Sequence, residues 1–383
     1  MTLNQPVRVR RRREPLSDSM LLMLVAIGFF IVIYGLSMLF LGTGFRRPAR
    51  FIDDILNQNS YLIIIACGLS VVMITGSIDI SVGGVVGCVS MFCAVFLSNG
   101  IFPAADMAPE VRIVLAALFA IIIGLAFGMI QGAMIAYLDI QPFIVTLAGM
   151  FFSRGLTTMI SKENVSLSKY APEVNDLLSN RFSLWFGEME EKGLGKKKAL
   201  YPVMTHAEYF IIVAIVIVVI VAIMLHKTKL GRNFYAVGGN RQSALMLGVN
   251  VRKTRFLAHV ISGVLAGIGG FVYLWNTKAG NIFGATQAEM QAIASSIIGG
   301  TLLTGGVGNV IGTFFGVLIL ATIRLIVPDV GNLPGMDWLK KPYWQDIFNG
   351  IVLCLFIVMQ SILLKVRGVL AGKRSEREQV ITA

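Results

Sequence analysis

One acidic residue lies inside a stretch that is otherwise suited to an apolar environment. Asp79 occurs in TGSIDISVGGVVG (residues 75–87), between apolar runs and with glycines on both sides. A carboxylate inside a membrane segment costs a few kcal/mol and is usually paired or functional. Two roles fit: Asp79 or Ser81 caps the first amides of the following helix, or Asp79 contacts a solute path. The roles are compatible, because a broken helix is tolerated where it faces protein or a water-filled cavity.

A second glycine-rich segment interrupts another apolar run. It reads GGTLLTGGVGNVIG (residues 299–312), with no charge, five glycines before Asn309, and hydroxyls at Thr301 and Thr304. The glycine spacing does not match a nucleotide-binding fingerprint, and no strand-turn-helix unit is predicted around it. The sequence therefore predicts a loop packed inside a helix bundle. Breaks at corresponding places in two halves indicate an internal duplication, a common plan among transporters.

The loop formed by residues 226–255 carries seven Lys or Arg and no Asp or Glu. Apolar runs flank it at 209–225 and 256–275, so it joins two membrane helices. Positive loops stay in the cytoplasm. A glycine pair, a short polar stretch (241–247) and a further glycine at Gly248 predict a small exposed helix, which can dock into a partner protein.

These segments belong to a chain whose composition suits a lipid environment. Apolar residues make up 56% of its 383 residues and charged residues 14%, whereas a soluble domain carries roughly 25% charged residues. Apolar runs near the length that spans a bilayer, about 20 residues, recur from end to end. The ten runs are 20–41, 60–75, 82–98, 112–137, 142–160, 209–225, 256–275, 288–304, 308–327 and 346–364. We predict an all-α integral membrane protein with about ten transmembrane helices, in two pseudo-repeated halves with glycine-rich broken helices.

The net charge of +12 is concentrated at both termini and in the basic loop. An even number of spans places all three on one side, which the positive-inside rule assigns to the cytoplasm; the charge therefore does not indicate nucleic-acid binding. We expect a cytoplasmic N-terminus (1–19), a transmembrane domain (20–364) and a cytoplasmic tail (365–383). The polar block 161–207 is expected outside. The first apolar run is too long for a signal peptide and lacks a cleavage site, so we expect it to be retained.

Neither a metal centre nor a catalytic centre is predicted. All four cysteines fall within apolar runs, where a free thiol behaves as a small hydrophobe, and no closely spaced Cys and His ligands occur. We expect Arg154 and Arg324 to extend to the outer interface and Glu289 to cap a helix. No relay of carboxylates and histidines is predicted across the bilayer, which argues against an ion-coupled carrier.

Four blocks, in the family's order, resemble the permease family of bacterial sugar ABC importers, the ribose, xylose and galactose type. This family shares a superfamily with branched-chain amino-acid permeases. The blocks are VVMITGSIDISVGGVVG (71–87), IQPFIVTLAGMFFSRGLT (140–157), AVGGNRQSALMLGVNVRKTR (236–255) and QAIASSIIGGTLLTGGVGNVIGTFFG (291–316). Ser77 and Ser243 depart from the family pattern, which usually has glycine and alanine there. Each block is moderately specific, and four in order make a strong match.

The resemblance implies the permease subunit of an ATP-binding-cassette importer in the bacterial inner membrane. It implies a pore of two permease subunits, homodimeric or heterodimeric, with cytoplasmic ATPase subunits and an extracytoplasmic solute-binding protein. ATP hydrolysis on a separate subunit agrees with the lack of a Walker motif in this sequence. The expected solute is a monosaccharide. The alternatives are an ABC permease for a nucleoside or inositol, and an ion-coupled secondary carrier of a small polar solute.

The breaks and the resemblance together define two sets of candidate residues. For the translocation path or the helix breaks they are Gly76, Asp79, Ser81, Gly83, Gly84, Gln141, Phe143, Thr146, Gly299, Gly300, Thr301, Gly305, Gly306 and Asn309. For coupling to the ATPase they are Gly238, Gly239, Asn240, Arg241, Gln242, Ala244 and Gly248. No catalytic residue, metal ligand or cofactor is expected.

Overall fold

The described part of the chain is a bundle of long apolar helices with two small two-stranded sheets. A computed structural model describes residues 18–40, 51–98, 107–179, 182–192 and 199–382. Most of the predicted N-terminal segment 1–19 therefore lies outside the described residues. The helices are α1 (Asp18–Phe40), α2 (Gln58–Ile74), α3 (Val82–Leu97), α4 (Pro109–Tyr137), α5 (Pro142–Ile160), α6 (Leu167–Tyr170), α7 (Pro172–Leu178), α8 (Tyr209–Lys227), α9 (Lys229–Gly239), α10 (Arg241–Met246), α11 (Val251–Thr277), α12 (Ala288–Ile298), α13 (Val310–Val330) and α14 (Tyr343–Thr382). A π-helical turn (Phe51–Asn57) precedes α2, and a 3-10 turn (Asp337–Lys340) precedes α14.

Each of the ten predicted apolar runs contains a helix, which confirms the prediction of an all-α integral membrane protein. In the described residues, eight helices are long and apolar enough to cross a membrane. The predicted span 288–304 was wrong in its length, because α12 ends at Ile298 after 11 residues. At about 1.5 Å per residue, such a helix crosses only about half of the hydrocarbon core. The chain leaves the helix at Gly300, whose φ of +95° is incompatible with a further helical turn.

Helix α2 forms the centre of the bundle. All its side chains from Leu62 to Ile74 are buried, and α8, α11, α12 and α13 pack around it. A helix that is apolar on every side is expected in such a position. The Ser70 hydroxyl lies 3.1 Å from Ser296 Oγ and 2.6 Å from Thr313 Oγ1, so hydrogen bonds tie α2 to α12 and α13.

Helices α4 and α11 cross at glycines on both sides. A Cβ added to Gly263 would lie 2.6 Å from Gly128 Cα and would overlap the carbonyl oxygen of Gly124. A Cβ on Gly267 would likewise overlap the Ala120 carbonyl oxygen. Small residues let two membrane helices approach to backbone contact, which agrees with the four-residue glycine spacing in the sequence.

Gly263→Ala is expected to destabilise the bundle, because the new methyl group meets backbone atoms that cannot rotate away. Overpacking of this kind costs about 1–3 kcal/mol, which thermal unfolding of the purified protein in detergent would detect. Gly155→Ala in α5 is the matched control, since a Cβ there has no neighbour within 4 Å. Equal melting temperatures for the two variants would contradict the close crossing.

Part of the polar block 161–207 is anchored to the end of the bundle opposite the basic loop. Strand β1 (Val165–Ser166) pairs antiparallel with β4 (Ala279–Gly280), directly after α11. Arg112, a buried residue of α4, forms an ion pair of 2.5 Å with Glu173 of α7. Further along the block, β2 (Phe182–Lys192) and β3 (Ala199–Ala207) form an antiparallel hairpin.

Candidate functional site

The first glycine-rich segment is a turn and an extended stretch between α2 and α3. The Thr75 hydroxyl donates to the Val72 carbonyl oxygen at 2.7 Å, and Gly76 follows with a φ of +75°. Helix α3 does not begin until Val82. The Thr146 hydroxyl of α5 lies 3.3 Å from the Ile78 carbonyl oxygen and 2.8 Å from the carbonyl oxygen of Pro142, one turn earlier in α5. The break is therefore held between the end of the central helix and the start of α5.

Hydrogen bonds surround the carboxylate of Asp79, which is only 3% exposed. Its Oδ1 accepts from the Ser81 amide at 3.0 Å and from the Ser81 hydroxyl at 2.6 Å. Its Oδ2 accepts from the Ser262 hydroxyl of α11 at 2.8 Å. A buried polar or charged group is tolerated when such partners replace water. The carboxylate thus joins the first break to α11.

Ser81 and Gln131 extend this cluster to α4. Of the two candidates for capping α3, Ser81 precedes the helix but its side chain makes no capping hydrogen bond, and Asp79 accepts from the amide of Ser81 itself. Its hydroxyl lies 2.6 Å from Asp79 Oδ1 and 2.9 Å from Gln131 Oε1, while Gln131 Nε2 has no partner. A hydroxyl has one hydrogen, so it donates to Asp79. The 180° rotated amide of Gln131 would then donate from Nε2 to the Ser81 hydroxyl oxygen.

Gly83 and Gly84 lie in the first turn of α3 rather than in the break itself. A Cβ on Gly83 would overlap the carboxylate of Glu289 at the start of α12. A Cβ on Gly84 would overlap the hydroxyl of Ser153 in α5. Both glycines therefore let polar side chains of neighbouring helices reach the backbone of α3.

Arg154 binds the loop before α12, which corrects the expectation that it extends to the outer interface. Its Nη1 donates to the Gly284 carbonyl oxygen at 2.5 Å and its Nη2 to the Ala285 carbonyl oxygen at 3.0 Å. The same guanidinium lies 3.8 Å from Glu289 Oε2. The residue before α12, Gln287, makes no side-chain cap, and Glu289 instead occupies the space between Arg154 and α3.

The second glycine-rich segment connects α12 to α13. Gly300, Gly305 and Gly306 all have positive φ, at +95°, +85° and +75°, a conformation that side-chain-bearing residues rarely adopt. The segment ends at Asn309, whose Oδ1 accepts from the Ile311 amide at 2.9 Å and so caps α13.

Gly299 and Thr301 lie at the start of this segment and are buried. A Cβ on Gly299 would overlap the backbone of Gly312, so α12 and α13 approach at glycines. The Thr301 hydroxyl has no hydrogen-bond partner, although Thr301 is fully buried. A Cβ on Gly308 would lie 2.9 Å from that hydroxyl oxygen. The tight turn therefore has no room for larger residues.

The basic loop contains the predicted exposed helix, here α10. Asn240 caps it, because its Oδ1 accepts from the Ser243 amide at 2.9 Å. Gly248 reverses the chain with a φ of +79°. Ala244 is buried and Gln242 is exposed, so the helix rests on the bundle with one side and presents the other outward.

The two breaks and the basic loop meet at five glycines, which we call the glycine junction: Gly76, Gly238, Gly239, Gly305 and Gly306. The Gly306 amide donates to the Ile74 carbonyl oxygen at 2.9 Å. A Cβ on Gly238 would overlap that same carbonyl oxygen and lie 2.5 Å from the Gly306 nitrogen. A Cβ on Gly305 would lie 2.7 Å from the Gly76 nitrogen, and one on Gly306 would lie 2.7 Å from Gly239 Cα. The three segments are thus in backbone contact.

A cavity of about 420 Å³ opens beside the glycine junction. Gly76 lines it from the first break, Gln141 and Phe143 from the start of α5, and Arg241 from α10. The predicted site residues therefore fall into two groups. One surrounds Asp79 in the interior of the bundle, and the other surrounds the glycine junction at the end that carries the basic loop.

Several contributors were not predicted. Ser262 and Gln131 complete the Asp79 cluster, and the Tyr235 hydroxyl donates to the Gly308 carbonyl oxygen at 2.9 Å, which adds a side-chain contact beside the junction. The available signal for Gln131 was its place as a polar residue between Gly128 and Gly132.

The fold and the site define a membrane transport component: apolar helices, two breaks inside the bundle, and a basic loop at one end in contact with both. The chain belongs to the family described as branched-chain amino acid transport system / permease component, whose model matches residues 51–357. It is therefore a multi-pass permease subunit, a transport component rather than an enzyme.

Several named relatives match over most of the chain. The inner membrane ABC transporter permease protein YjfF of Escherichia coli is 35% identical, covering 88% of this chain and 91% of the relative. The fructose import permease protein FruG of Bifidobacterium longum is 30% identical, covering 94% and 97%. The xylose transport system permease protein XylH of Haemophilus influenzae is 29% identical, covering 88% and 94%. No solved structure matches the chain.

Proposed function

We propose that this chain forms the translocation path of an ATP-driven importer for a monosaccharide. The sugar would be delivered by a solute-binding protein, and ATP would be hydrolysed on separate ATPase subunits. Relatives named for fructose import and for xylose transport support the choice of solute. The observation that carries the mechanism is the glycine junction, where the basic loop touches both helix breaks through backbone atoms.

The junction acts as a mechanical connection in this proposal. An ATPase that docks on α10 and moves it also moves α9, which contains Gly238 and Gly239. Backbone atoms in contact have no side chain that can rotate out of the way, so displacement passes to Ile74 and to the loop around Gly306. In many transporter folds, broken helices form the substrate site and one bundle rocks against the other around it.

The orientation of the chain follows from charge. The basic loop, with seven cations and no acidic residue, is assigned to the cytoplasm by the positive-inside rule, which also places both termini there. The opposite end, with the anchored segment 161–178, then faces outward and receives the solute-binding protein. A second permease subunit, either another copy or a related chain, completes the pore, and exposed apolar faces such as that of α8 contact lipid.

The path residues take distinct roles. Asp79 fixes the first break to α11 through Ser262. Gly76, Gln141 and Phe143 line the cavity at the cytoplasmic mouth. The loop 299–309 forms the other half of that mouth, and its Asn309 holds the start of α13.

Replacement of Gly239, Asn240 and Arg241 by alanine is expected to abolish solute-stimulated ATPase activity of the purified complex. The triple variant removes the Asn240 cap, which is worth about 1 kcal/mol to a short helix, and a cation on the docking surface. It leaves the bundle folded, because all three residues are exposed and a Cβ on Gly239 has open space. Full stimulation by solute, with unchanged melting, would refute the docking role.

The assembly itself can be tested by purifying the tagged chain from the native membrane and identifying what co-purifies. We expect an ATPase subunit that the triple variant no longer retains. A chain that moved solute into liposomes alone and without ATP would instead be a secondary carrier. Uptake competition with monosaccharides, nucleosides and inositol would then establish the solute class.

A further inference from the structure

A second cavity at the basic-loop end has a marked charge imbalance. It measures about 630 Å³ and lies between α10, the start of α11 and the turn that joins α4 to α5. Three of its lining residues are arginines and one is a carboxylate: Arg241, Arg252, Arg255 and Asp139. Formal charges therefore leave a surplus of two positive charges around one open cavity.

Only one of the three arginines, Arg255, forms a hydrogen bond with the carboxylate of Asp139. Asp139 Oδ1 accepts from Arg255 Nη1 at 2.9 Å; the Arg255 side chain is 5% exposed and that of Asp139 is 81% exposed. This hydrogen bond is the main reason why the pKa of Asp139 lies below its ordinary value, and Arg241 and Arg252 contribute. Burial and the neighbouring Arg255 lower the pKa of Arg241. Arg255 Nε is buried without a hydrogen-bond partner.

Exposed apolar residues lie at the edge of this cavity, in the basic loop and outside the membrane-spanning helices. Leu245 lines the cavity and is 64% exposed, and Met246 and Leu247 beside it are 87% and 80% exposed. Exposed apolar patches rimmed by polar residues mark sites of interaction with a protein or a membrane. Leu245, Met246 and Leu247 are consecutive residues at the end of a six-residue helix, so they do not form the single apolar face with which an amphipathic helix lies on a membrane.

We propose that this cavity receives a carboxylate side chain of the ATPase subunit, with Leu245, Met246 and Leu247 packing around the contact. The inference rests on the proposed function and specifies the chemistry of the partner surface. An arginine fork binds a carboxylate through two parallel hydrogen bonds, and Arg241 and Arg252 lie in the cavity with a surplus of charge to bind one. Asp139 then acts as an internal competitor of the incoming carboxylate.

Asp139 and Arg255 connect the docking cavity to the first helix break, so that binding of the ATPase subunit would affect the translocation path. Asp139, Arg241 and Arg255 line both the docking cavity and the smaller cavity beside the first break. They therefore form the wall between the two. A partner carboxylate that takes over these guanidiniums loosens Asp139, and with it the turn that leads into Gln141 and Phe143. Docking would in this way release one side of the cytoplasmic mouth.

The test measures the affinity of the co-purified ATPase for the permease in nanodiscs of neutral lipid. Arg252→Gln is expected to weaken binding about tenfold at low salt, the low end of the coupling measured for close interfacial charge pairs, and to flatten its salt dependence. Asp139→Asn is expected to tighten binding several-fold, because the competitor is lost. Lys253→Gln is the matched control: Lys253 is the exposed neighbour of Arg252 and does not line the cavity.

Equal affinities for Arg252→Gln, Lys253→Gln and the unaltered protein would overturn the inference, as would weaker binding by Asp139→Asn. An effect of Arg252→Gln that appears only when anionic lipid is added would assign the cavity to a lipid headgroup and also overturn it. If the unaltered protein binds no ATPase, the proposed function itself fails. Arg252 is exposed, so its replacement leaves the fold intact.

Discussion

Gly238→Ala is expected to abolish ATP-driven uptake. The added methyl group would overlap the Ile74 carbonyl oxygen and lie 2.5 Å from the Gly306 nitrogen. Those atoms form the hydrogen bond that joins the two helix breaks, so the methyl group fits only if the basic loop moves away. Solute-stimulated ATPase activity and uptake into proteoliposomes would both be lost, because the basic loop on which the ATPase subunit docks would no longer contact the two helix breaks.

The adjacent glycine offers a matched control for this variant. Gly239→Ala adds the same methyl group one residue later, where no atom lies within 4 Å. We expect it to assemble and melt like the unaltered protein. If Gly238→Ala transported at the same rate as Gly239→Ala, the backbone contacts at the junction would be dispensable, and coupling would have to pass through side chains.

Asp79→Ala is expected to destabilise the bundle and to abolish uptake. It leaves the buried Ser262 hydroxyl and the Ser81 amide without their acceptor. Orphaned buried donors and a lost charge-assisted hydrogen bond cost on the order of 3 kcal/mol. Thermal unfolding in detergent and radiolabelled uptake into proteoliposomes would measure the two effects. A variant with normal melting and normal uptake would show that the carboxylate is not needed.

Asp79→Asn separates the charge from the hydrogen bonds. The amide has the same shape, its oxygen can accept from Ser81, and its nitrogen can donate to the Ser262 hydroxyl, which also accepts. If Asp79 serves only to hold the break, Asp79→Asn retains most of the stability and uptake. If the charge takes part in transport, this variant folds normally but loses uptake.

Periodicity and composition were sufficient to predict the helices but not their contacts. Each of the ten apolar runs contains a helix in the described part of the chain, and the glycine pair, the polar stretch 241–247 and Gly248 located α10. The length of α12 was missed because 290–320 has no charge to mark a boundary. Only the positive φ of Gly300 shows where that helix ends.

The partners of the site residues were beyond the reach of local patterns. Asp79 and Ser262 are 183 positions apart, and nothing in their spacing connects them. Arg154 illustrates the same limit: its position near a helix end suggested exposure, yet its guanidinium binds the carbonyl oxygens of Gly284 and Ala285. Local rules describe one helix at a time, whereas these contacts depend on how α3, α5, α11 and α12 are assembled.

The glycine junction affects how the solute specificity of such a permease can change during evolution. Gly238, Gly305 and Gly306 approach one another through backbone atoms alone. The glycine junction therefore has no side chain that could recognise a particular solute. Residues that select the solute can therefore change while the glycine junction stays the same. Chimeras that exchange the segment 161–207 between relatives should therefore retain their response to ATP.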